Sequence, residues 1–160
     1  MPKDCSDDTY PGAAATPEQT LALARAYEAA AHALLQDAKR GPLAAMPPYL
    51  CALQAIELAL NAYRRHQGEA PSMIRGRLHD MSPDDVVRKL GLRRRTLDHL
   101  LDLTVQREYL LVRYAPYRAV PRSQHNRITA TLGEVVRKVA QRIEPSVRTE
   151  PPPPAHAPAD

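Results

Sequence analysis

The chain has 160 residues, with 16 Pro, 6 Gly and neither Phe nor Trp. This length suits one compact domain with tails rather than two full domains. Two Cys exclude a disulfide scaffold, the lack of a Gly period excludes a collagen, and no apolar run approaches the roughly 20 residues of a membrane-spanning helix. Ala, Leu and Arg favour helices, whereas residues that favour strands are few, so the composition predicts an all-α protein.

Positive charge is concentrated in one part of the chain. The formal net charge is +4, but residues 64–127 hold 14 Lys and Arg against 7 Asp and Glu. Such a segment is typical of a surface that faces phosphate groups. The alternative is a solvated Arg-rich surface with no polyanionic partner.

Both ends of the chain are predicted to be disordered. Residues 1–15 carry Pro, Gly and three Asp without periodicity, and residues 144–160 contain six Pro but no Leu, Ile or aromatic residue. The folded part is therefore expected at 16–143. The first residues show no apolar stretch of a signal peptide, which favours a cytoplasmic protein with reduced cysteines.

Two long helices are predicted first. The run TPEQ at 16–19 has the composition of a capping box and predicts a helix that begins at Thr16 and stops at Gly41. A second helix is expected over 47–67, because apolar residues recur there at steps of four and three. These are Tyr49, Leu53, Ile56, Leu60 and Tyr63. Alanines beside them would let a second helix approach closely.

Three further helices are expected after a loop over 68–81. Ser82 is predicted to cap a short helix that ends near Gly91. One long helix is predicted over roughly 93–112 and another over roughly 122–143, separated by a loop with two Pro. The predicted fold is therefore an all-α, up-and-down bundle of four long helices plus one short helix.

Short signatures of common active sites are absent from the sequence. It contains no GxxxxGK[ST], GxGxxG, HExxH or GxSxG pattern. Cys51 lies in an apolar helix without a metal-ligand spacing and is expected to be a small packed residue. No metal and no cofactor are expected.

Three segments, taken in order, resemble the HEPN family (higher eukaryotes and prokaryotes nucleotide-binding domain). They read QAIELALNAY at 54–63, LHDM at 78–81 and LDLTVQREYLLVRYAP at 101–116. One branch of that family carries an Ala-Ile-Glu second helix, a Gly-His-Asp-Leu turn and an Arg-Tyr-Pro ending to a later helix. The resemblance covers roughly residues 20–140. It implies a HEPN-like bundle, a homodimer, and either binding of nucleotide or RNA or partnership with a nucleotidyltransferase.

The resemblance also points to a pair of candidate catalytic residues. The ribonuclease branch of the family uses an Arg followed, after four to six residues, by a His. Arg118 and His125 have six residues between them. A His can transfer protons near neutral pH and an Arg can hold phosphate charge, so such a pair suits metal-independent RNA cleavage. The alternative is that both residues belong to a surface loop.

Five residues in the later helices are candidates for contact with phosphate. Arg113 and Tyr114 either clamp the end of their helix or contact the phosphate and base of a nucleotide. Arg93, Arg94 and Arg95 begin a helix, where positive charge opposes the helix dipole. This unfavourable placement favours a surface for a polyanion or an acidic partner, although a solvated helix start is the simpler interpretation.

Three other polar residues are assigned structural roles. Glu57 lies beside the apolar stripe of the second helix and is expected to be a buried polar residue paired with an Arg, such as Arg64. His79 and Asp80 are expected to brace their loop by hydrogen bonds, with Asp80 able to cap locally. A catalytic carboxylate at Glu57 and a ligand role for His79 and Asp80 are the alternatives.

Three functions remain open at this point. The first is a HEPN-like module that binds nucleotide or RNA, or a partner protein, without robust catalysis. The second is a metal-independent endoribonuclease of toxin type that uses the Arg118 and His125 pair. The third is a structural or regulatory helical adaptor. None of the three requires contact with a membrane.

Overall fold

The computed structural model describes residues 11–36 and 41–145, and it confirms the all-α prediction for this part of the chain. It contains seven α-helices and no strand there. The helices are α1 (Pro17–Leu35), α2 (Met46–His66), α3 (Pro71–Gly76), α4 (Asp85–Arg88), α5 (Arg94–Val105), α6 (Glu108–Tyr114) and α7 (Arg122–Ile143). Short 3₁₀ turns at Pro11–Ala13 and Leu43–Ala45 precede α1 and α2.

The core of the bundle is built around α2. Twelve of its 21 residues are buried, and it packs against both α1 and α7. The predicted apolar stripe of this helix is buried throughout. Its four flanking alanines, at positions 52, 55, 59 and 62, are 0–3% exposed. The close approach that they allow is therefore made within one chain, and this face is not available to a second copy.

The predicted start of α1 is confirmed in detail. The Gln19 backbone N–H donates to Thr16 Oγ1 at 3.1 Å, and the Thr16 N–H donates to Gln19 Oε1 at 2.9 Å. This reciprocal pair is the capping box. It satisfies two backbone donors that a helix start otherwise leaves unpaired.

The single long helix expected over 93–112 was a wrong prediction, because the chain breaks it at Arg107. That residue adopts the left-handed conformation, with φ 52° and ψ 44°, between α5 and α6. In an unbroken helix Glu108 would lie about 140° around the axis from the buried Leu103. The break changes the angular position of α6 relative to α5, so that both Leu103 and Glu108 are buried.

The short helices also differ from the prediction. Part of the expected loop over 68–81 forms α3, which begins at Pro71. The cap of α4 is Asp84 rather than Ser82, since Asp84 Oδ1 accepts from the Val87 N–H at 3.0 Å. The bundle therefore has three long helices, one of 12 residues and three short ones within the described residues, not four long and one short.

The predicted tails overlap the described residues at their inner edges. The 3₁₀ turn at Pro11–Ala13 packs against α3, although 1–15 was expected to be a disordered arm. At the other end, Glu144 forms an ion pair with Arg25 at 2.9 Å. The remainder of both predicted tails, at 1–10 and 146–160, lies outside the described residues.

One segment contradicts the expectation from the sequence that no apolar stretch approaches the length of a membrane-spanning helix. Leu43–His66 is long and apolar enough to cross a bilayer by length and composition. In the bundle, 56% of the most apolar 18 residues of this segment are buried against the rest of the protein. A core helix of a soluble protein passes the same test, so this feature is weak support for a membrane span.

Candidate functional site

The start of α5 is fixed by a buried carboxylate from α7. Glu134 is 4% exposed and accepts from the Arg93 backbone N–H at 2.8 Å, from Arg93 Nε at 2.8 Å and from the Thr96 hydroxyl at 2.6 Å. Burial raises the pKa of Glu134, but these hydrogen bonds from Thr96 and Arg93 outweigh it and lower the pKa to about 2. The carboxylate thus stays charged and anchors the run of three arginines.

Two cations of α7 reach the same turn. Arg142 Nη2 donates to the Lys89 carbonyl oxygen at 3.2 Å. A methyl group placed on Gly91 would lie 3.9 Å from Lys138 Nζ. We call the resulting surface the basic face. It comprises Lys89, Arg93, Arg94, Arg95, Lys138 and Arg142.

The arginines at the start of α5 differ in how strongly their side chains are paired with carboxylates. The Arg93 side chain is bound to Glu134 and half exposed. The Arg94 side chain is 94% exposed, and its nearest carboxylate, Asp98, is 3.9 Å away. Arg95 is also exposed. Exposed and weakly paired cations of this kind are the groups that contact phosphate oxygens when a protein binds a polyanion.

Arg113 and Tyr114 lie at the end of α6 and are exposed. Within the described residues, neither side chain makes a hydrogen bond or an ion pair, so they do not clamp the helix end through polar contacts. They lie at the end of α6, whereas Arg93, Arg94 and Arg95 lie at the start of α5. The five predicted phosphate contacts are therefore divided between two separate helices.

Arg118 and His125 lie in different environments and contact different partners. Two Arg118 nitrogens donate to the buried Glu108 carboxylate at 3.0 and 2.7 Å, and these hydrogen bonds raise the pKa of Arg118. His125 is 8% exposed and packs edge-on against the Tyr49 ring, with centroids 5.6 Å apart. No hydrogen bond joins Arg118 to His125. The guanidinium is already neutralised by a carboxylate, which is a poor arrangement for holding the charge of a transition state.

Glu57 pairs with a histidine, not with the arginine that the sequence suggested. Its carboxylate lies 2.9 Å and 3.1 Å from His79 Nδ1, and the His79 ring stacks on Tyr109 with centroids 4.2 Å apart. Asp80 Oδ1 accepts from the Ser82 N–H at 2.8 Å, within the same turn. His79 has a positive φ of 69°, which is uncommon for residues other than Gly but is adopted by His more often than by most. Its contacts to α2 and α6 hold the turn in place.

The sequence patterns did not predict a cluster of alternating charges at the end of α2. Arg64 is 1% exposed and lies 2.6 Å from Asp84 and 3.4 Å from Glu69. Arg77 completes the cluster through Glu69 at 3.0 Å and Asp84 at 3.1 Å. The sequence signal was weak, since Arg64 simply follows the buried Tyr63 in the last turn of α2. A lone carboxylate among buried apolar residues, as at Glu134, was the clearer signal.

His99 makes the stability of the protein sensitive to acid. It is buried, and its Nδ1 shares a 2.7 Å hydrogen bond with the Thr131 hydroxyl. Burial first, and the positive charge of Arg127 second, lower its pKa from 6.5 to about 4. Between these values the unfolded chain binds a proton that the folded protein excludes. Stability therefore falls as pH falls from 6.5 towards 4, by up to about 1.4 kcal/mol per pH unit.

The substitution His99→Gln tests this prediction, because glutamine can still pair with Thr131 but does not titrate. Urea unfolding at several pH values should show a shallower loss of stability between pH 6.5 and pH 4 than in the original protein. His125, whose pKa is also lowered by burial, contributes a slope of the same sign in both proteins. Identical slopes would contradict a role for His99.

Metal and thiol chemistry find little support in the described residues. No group of three or more His, Cys, Asp or Glu side chains there could hold a metal ion. Cys51 is half-buried, and burial raises the pKa of its thiol, which disfavours the reactive thiolate.

Comparison of the chain with known proteins gives no match among protein-family models, curated proteins or solved structures. Its function must therefore be argued from its own residues. The basic face carries weakly paired cations, and the described residues also leave buried nitrogens of Arg64, Arg65 and His125 without a hydrogen-bond partner.

Proposed function

We propose that this protein is a HEPN-like module that binds the phosphates of RNA or a nucleotide without robust catalysis. The observation that carries the proposal is the basic face, where Lys138 and Arg142 of α7 meet the turn before α5. Six cations lie there beside two carboxylates, Glu134 and Asp98. Glu134 is fully occupied by Arg93 and Thr96, so the surrounding potential is positive.

The proposed contact is to the backbone of the nucleic acid rather than to its bases. Exposed Arg and Lys side chains recognise phosphate oxygens without regard to sequence. Stacking on bases needs exposed aromatic rings. The chain has no Phe or Trp, and its two most exposed tyrosines in the described residues, Tyr114 and Tyr117, are not part of the basic face. We therefore expect strong salt dependence and weak sequence preference.

Salt-dependent binding of a labelled single-stranded RNA tests the proposal. For the double variant Arg94→Gln/Arg95→Gln we expect roughly tenfold weaker binding at low salt. The slope of log affinity against log salt should become shallower by about 1.4, since each lost phosphate contact on a single strand contributes about 0.7. Fluorescence anisotropy over a salt series measures both quantities.

A matched control removes the same charge elsewhere. Arg107 and Arg113 are exposed cations at the two ends of α6 and are not part of the basic face, and Arg113 is the rival candidate for phosphate contact. The double variant Arg107→Gln/Arg113→Gln should bind RNA with nearly the original slope. If this control loses binding while Arg94→Gln/Arg95→Gln does not, the phosphates contact α6 instead. Binding that is indifferent to salt in the original protein would overturn the proposal.

The endoribonuclease alternative is not favoured by the geometry, because Glu108 already holds Arg118. We expect labelled RNA to remain intact on incubation with the protein, with or without a chelator. Cleavage that resists the chelator and disappears in His125→Ala would instead favour the enzyme.

The expectations of a homodimer and of a nucleotidyltransferase partner come only from the resemblance to the HEPN family. The alanine face of α2 is buried within the protomer and is not available for a dimer contact. Sedimentation of the purified protein would show whether another surface pairs two copies. A nucleotidyltransferase encoded by the neighbouring reading frame would favour the second partnership.

A further inference from the structure

A cavity of about 360 Å³ lies where the turn over 77–80 meets the break between α5 and α6. Its size is within the range of sites that bind small organic molecules. Every residue other than glycine that has a positive φ in the described part of the chain lines this cavity. These are Leu78, His79 and Arg107, with φ of 47°, 69° and 52°. Such residues cluster at ligand-binding loops, so the cavity is a candidate site.

The imidazole of His79 has one nitrogen paired within the protein and one that a ligand can reach. Nδ1 lies 2.9 Å from a Glu57 carboxylate oxygen, and because a carboxylate only accepts, Nδ1 carries the hydrogen. The Tyr109 ring stacks on the imidazole and fixes its plane. Nε2 has no hydrogen-bond partner within the described residues and, unlike the ring nitrogens of His125, it is not buried. Nε2 can therefore accept a hydrogen bond when the imidazole is neutral and donate one when it is protonated.

Two backbone donors of the same turn are also without a partner. Arg77 is right-handed, with φ −73° and ψ −19°, and the left-handed Leu78 and His79 follow it. Such a succession directs consecutive N–H groups towards one point and forms an anion-binding concavity. Among the described residues, the N–H groups of Leu78 and His79 make no hydrogen bond, whereas those of Arg77 and Asp80 do. The turn therefore offers two N–H donors to an anion.

Arg107 supplies the positive charge of the cavity. Its side chain is exposed and makes no ion pair within the described residues. Asp80 supplies an opposing negative charge, although its Oδ1 already accepts from the Ser82 N–H at 2.8 Å. Leu78 and Leu110 give the cavity an apolar side. The lining thus combines a cation, two N–H donors and an imidazole that can take up or release a proton.

We propose that this cavity binds a phosphomonoester group, either the terminal phosphate of an RNA strand or that of a small molecule. Such a group has a second pKa of about 6, so near neutral pH it can donate its remaining proton to His79 Nε2 or accept one from it. Arg107 and the two N–H groups of the turn hold the other oxygens. A phosphodiester and a sulfate ester lack both that proton and the second charge. The RNA source rests on the proposed function, whereas the small-molecule source does not.

Phenyl phosphate and phenyl sulfate are matched probes for this cavity, since they share one ring and differ in the anionic group. In titration calorimetry with the full chain at neutral pH, we expect phenyl phosphate to bind roughly tenfold more tightly than phenyl sulfate. Two RNA strands of one sequence, with a 5′-phosphate or a 5′-hydroxyl, then identify the source. Tighter binding of the phosphorylated strand assigns the cavity to strand ends. Equal binding of the two strands, with phenyl phosphate still preferred, assigns it to small phosphomonoesters.

Substitutions assign the binding to individual residues. Arg107→Gln should weaken phenyl phosphate binding roughly tenfold. Arg113→Gln removes an exposed cation at the other end of α6, outside this cavity, and should leave the binding unchanged. Asp80→Asn should strengthen it about threefold, because it removes the negative charge but keeps an oxygen for the Ser82 N–H. His79→Gln can still pair with Glu57 but cannot exchange a proton, so the preference for phenyl phosphate over phenyl sulfate should disappear.

The outcomes are distinguishable from a folding defect and from failure of the proposed function. Melting temperatures show whether His79→Gln is folded, and if it is not, Asp80→Asn and Arg107→Gln still decide the proposal, because both change exposed side chains. RNA with hydroxyl ends does not engage this cavity. Arg94→Gln/Arg95→Gln should therefore bind phenyl phosphate as the original protein does, even if the basic face does not bind RNA. Equal affinity for the two phenyl esters, no detectable binding of phenyl phosphate, or binding that is indifferent to Arg107→Gln would each overturn the proposal.

Discussion

Replacing Glu134 with alanine is expected to lower the free energy of unfolding by about 3 kcal/mol, because it removes a buried carboxylate that three groups depend on. The Arg93 N–H, the Arg93 guanidinium and the Thr96 hydroxyl would all lose their acceptor. Chemical denaturation at neutral pH measures the change. The exposed pair Arg25–Glu144 supplies the control, since Glu144→Ala should cost less than about 0.5 kcal/mol.

The same carboxylate makes a pH-dependent contribution of known sign. Its pKa is about 2 in the folded protein and about 4.5 in the unfolded chain. The stabilisation is therefore fully present above pH 4.5 and is lost as pH falls towards 2. Glu134→Gln should flatten the acid side of the stability profile in that range. A Glu134→Ala protein that is as stable as the original would contradict the role of Glu134 as an anchor of α5.

Removal of Arg64 is the second large expected effect. We expect Arg64→Ala to lower the free energy of unfolding by about 3 kcal/mol, because breaking a buried ion pair leaves its carboxylate partners under-compensated. Arg64 is among the largest fully buried side chains in the described residues. Its pair with Asp84 ties α2 to the residue that caps α4.

The volume-preserving variant Arg64→Met separates charge from packing. It should lose less stability than Arg64→Ala, because it fills most of the space that alanine leaves empty. Burial raises the pKa of Asp84, and hydrogen bonds from Arg64 and the Val87 N–H lower it below its ordinary value. In both variants the pKa of Asp84 should rise, which NMR titration of its carboxyl group measures. An unchanged Asp84 pKa would show that the Arg64 contact is energetically unimportant.

Both expected losses of stability come from polar contacts between residues that are distant in sequence, which sequence patterns do not reveal. Glu134 and Arg64 are each adjacent in sequence to a buried apolar residue, Val135 and Tyr63, but polar residues lie one turn away from both, so helical periodicity does not identify them as buried. Periodicity cannot name their partners, which come from residues 41 and 20 positions away. The correction at Glu57 has the same cause. Its partner His79 is brought to α2 by a turn whose left-handed residues no composition rule predicts.

For the candidate site, too, local sequence predicted one part and helix packing decided the other. The sequence identified the arginine run at 93–95 as a place for phosphate, from charge clustering and an unfavourable position at a helix start. It could not show that Lys138 and Arg142 reach the turn at Lys89 and Gly91, just before that run, because this depends on how α7 packs. The resemblance to the HEPN family paired Arg118 with His125, whereas in the structure Arg118 pairs with Glu108 and His125 is buried.

The sequence by itself determined the elements that depend on neighbours along the chain. These are the all-α class, the capping box at Thr16, the buried stripe of α2 and the extent of α7, because caps and amphipathic faces are set by residues three or four positions apart. Only the tertiary structure decided the break at Arg107, the cap at Asp84 and the cavity beside His79. Each of these depends on which distant side chain is buried beside which, and that depends on how the helices pack in three dimensions.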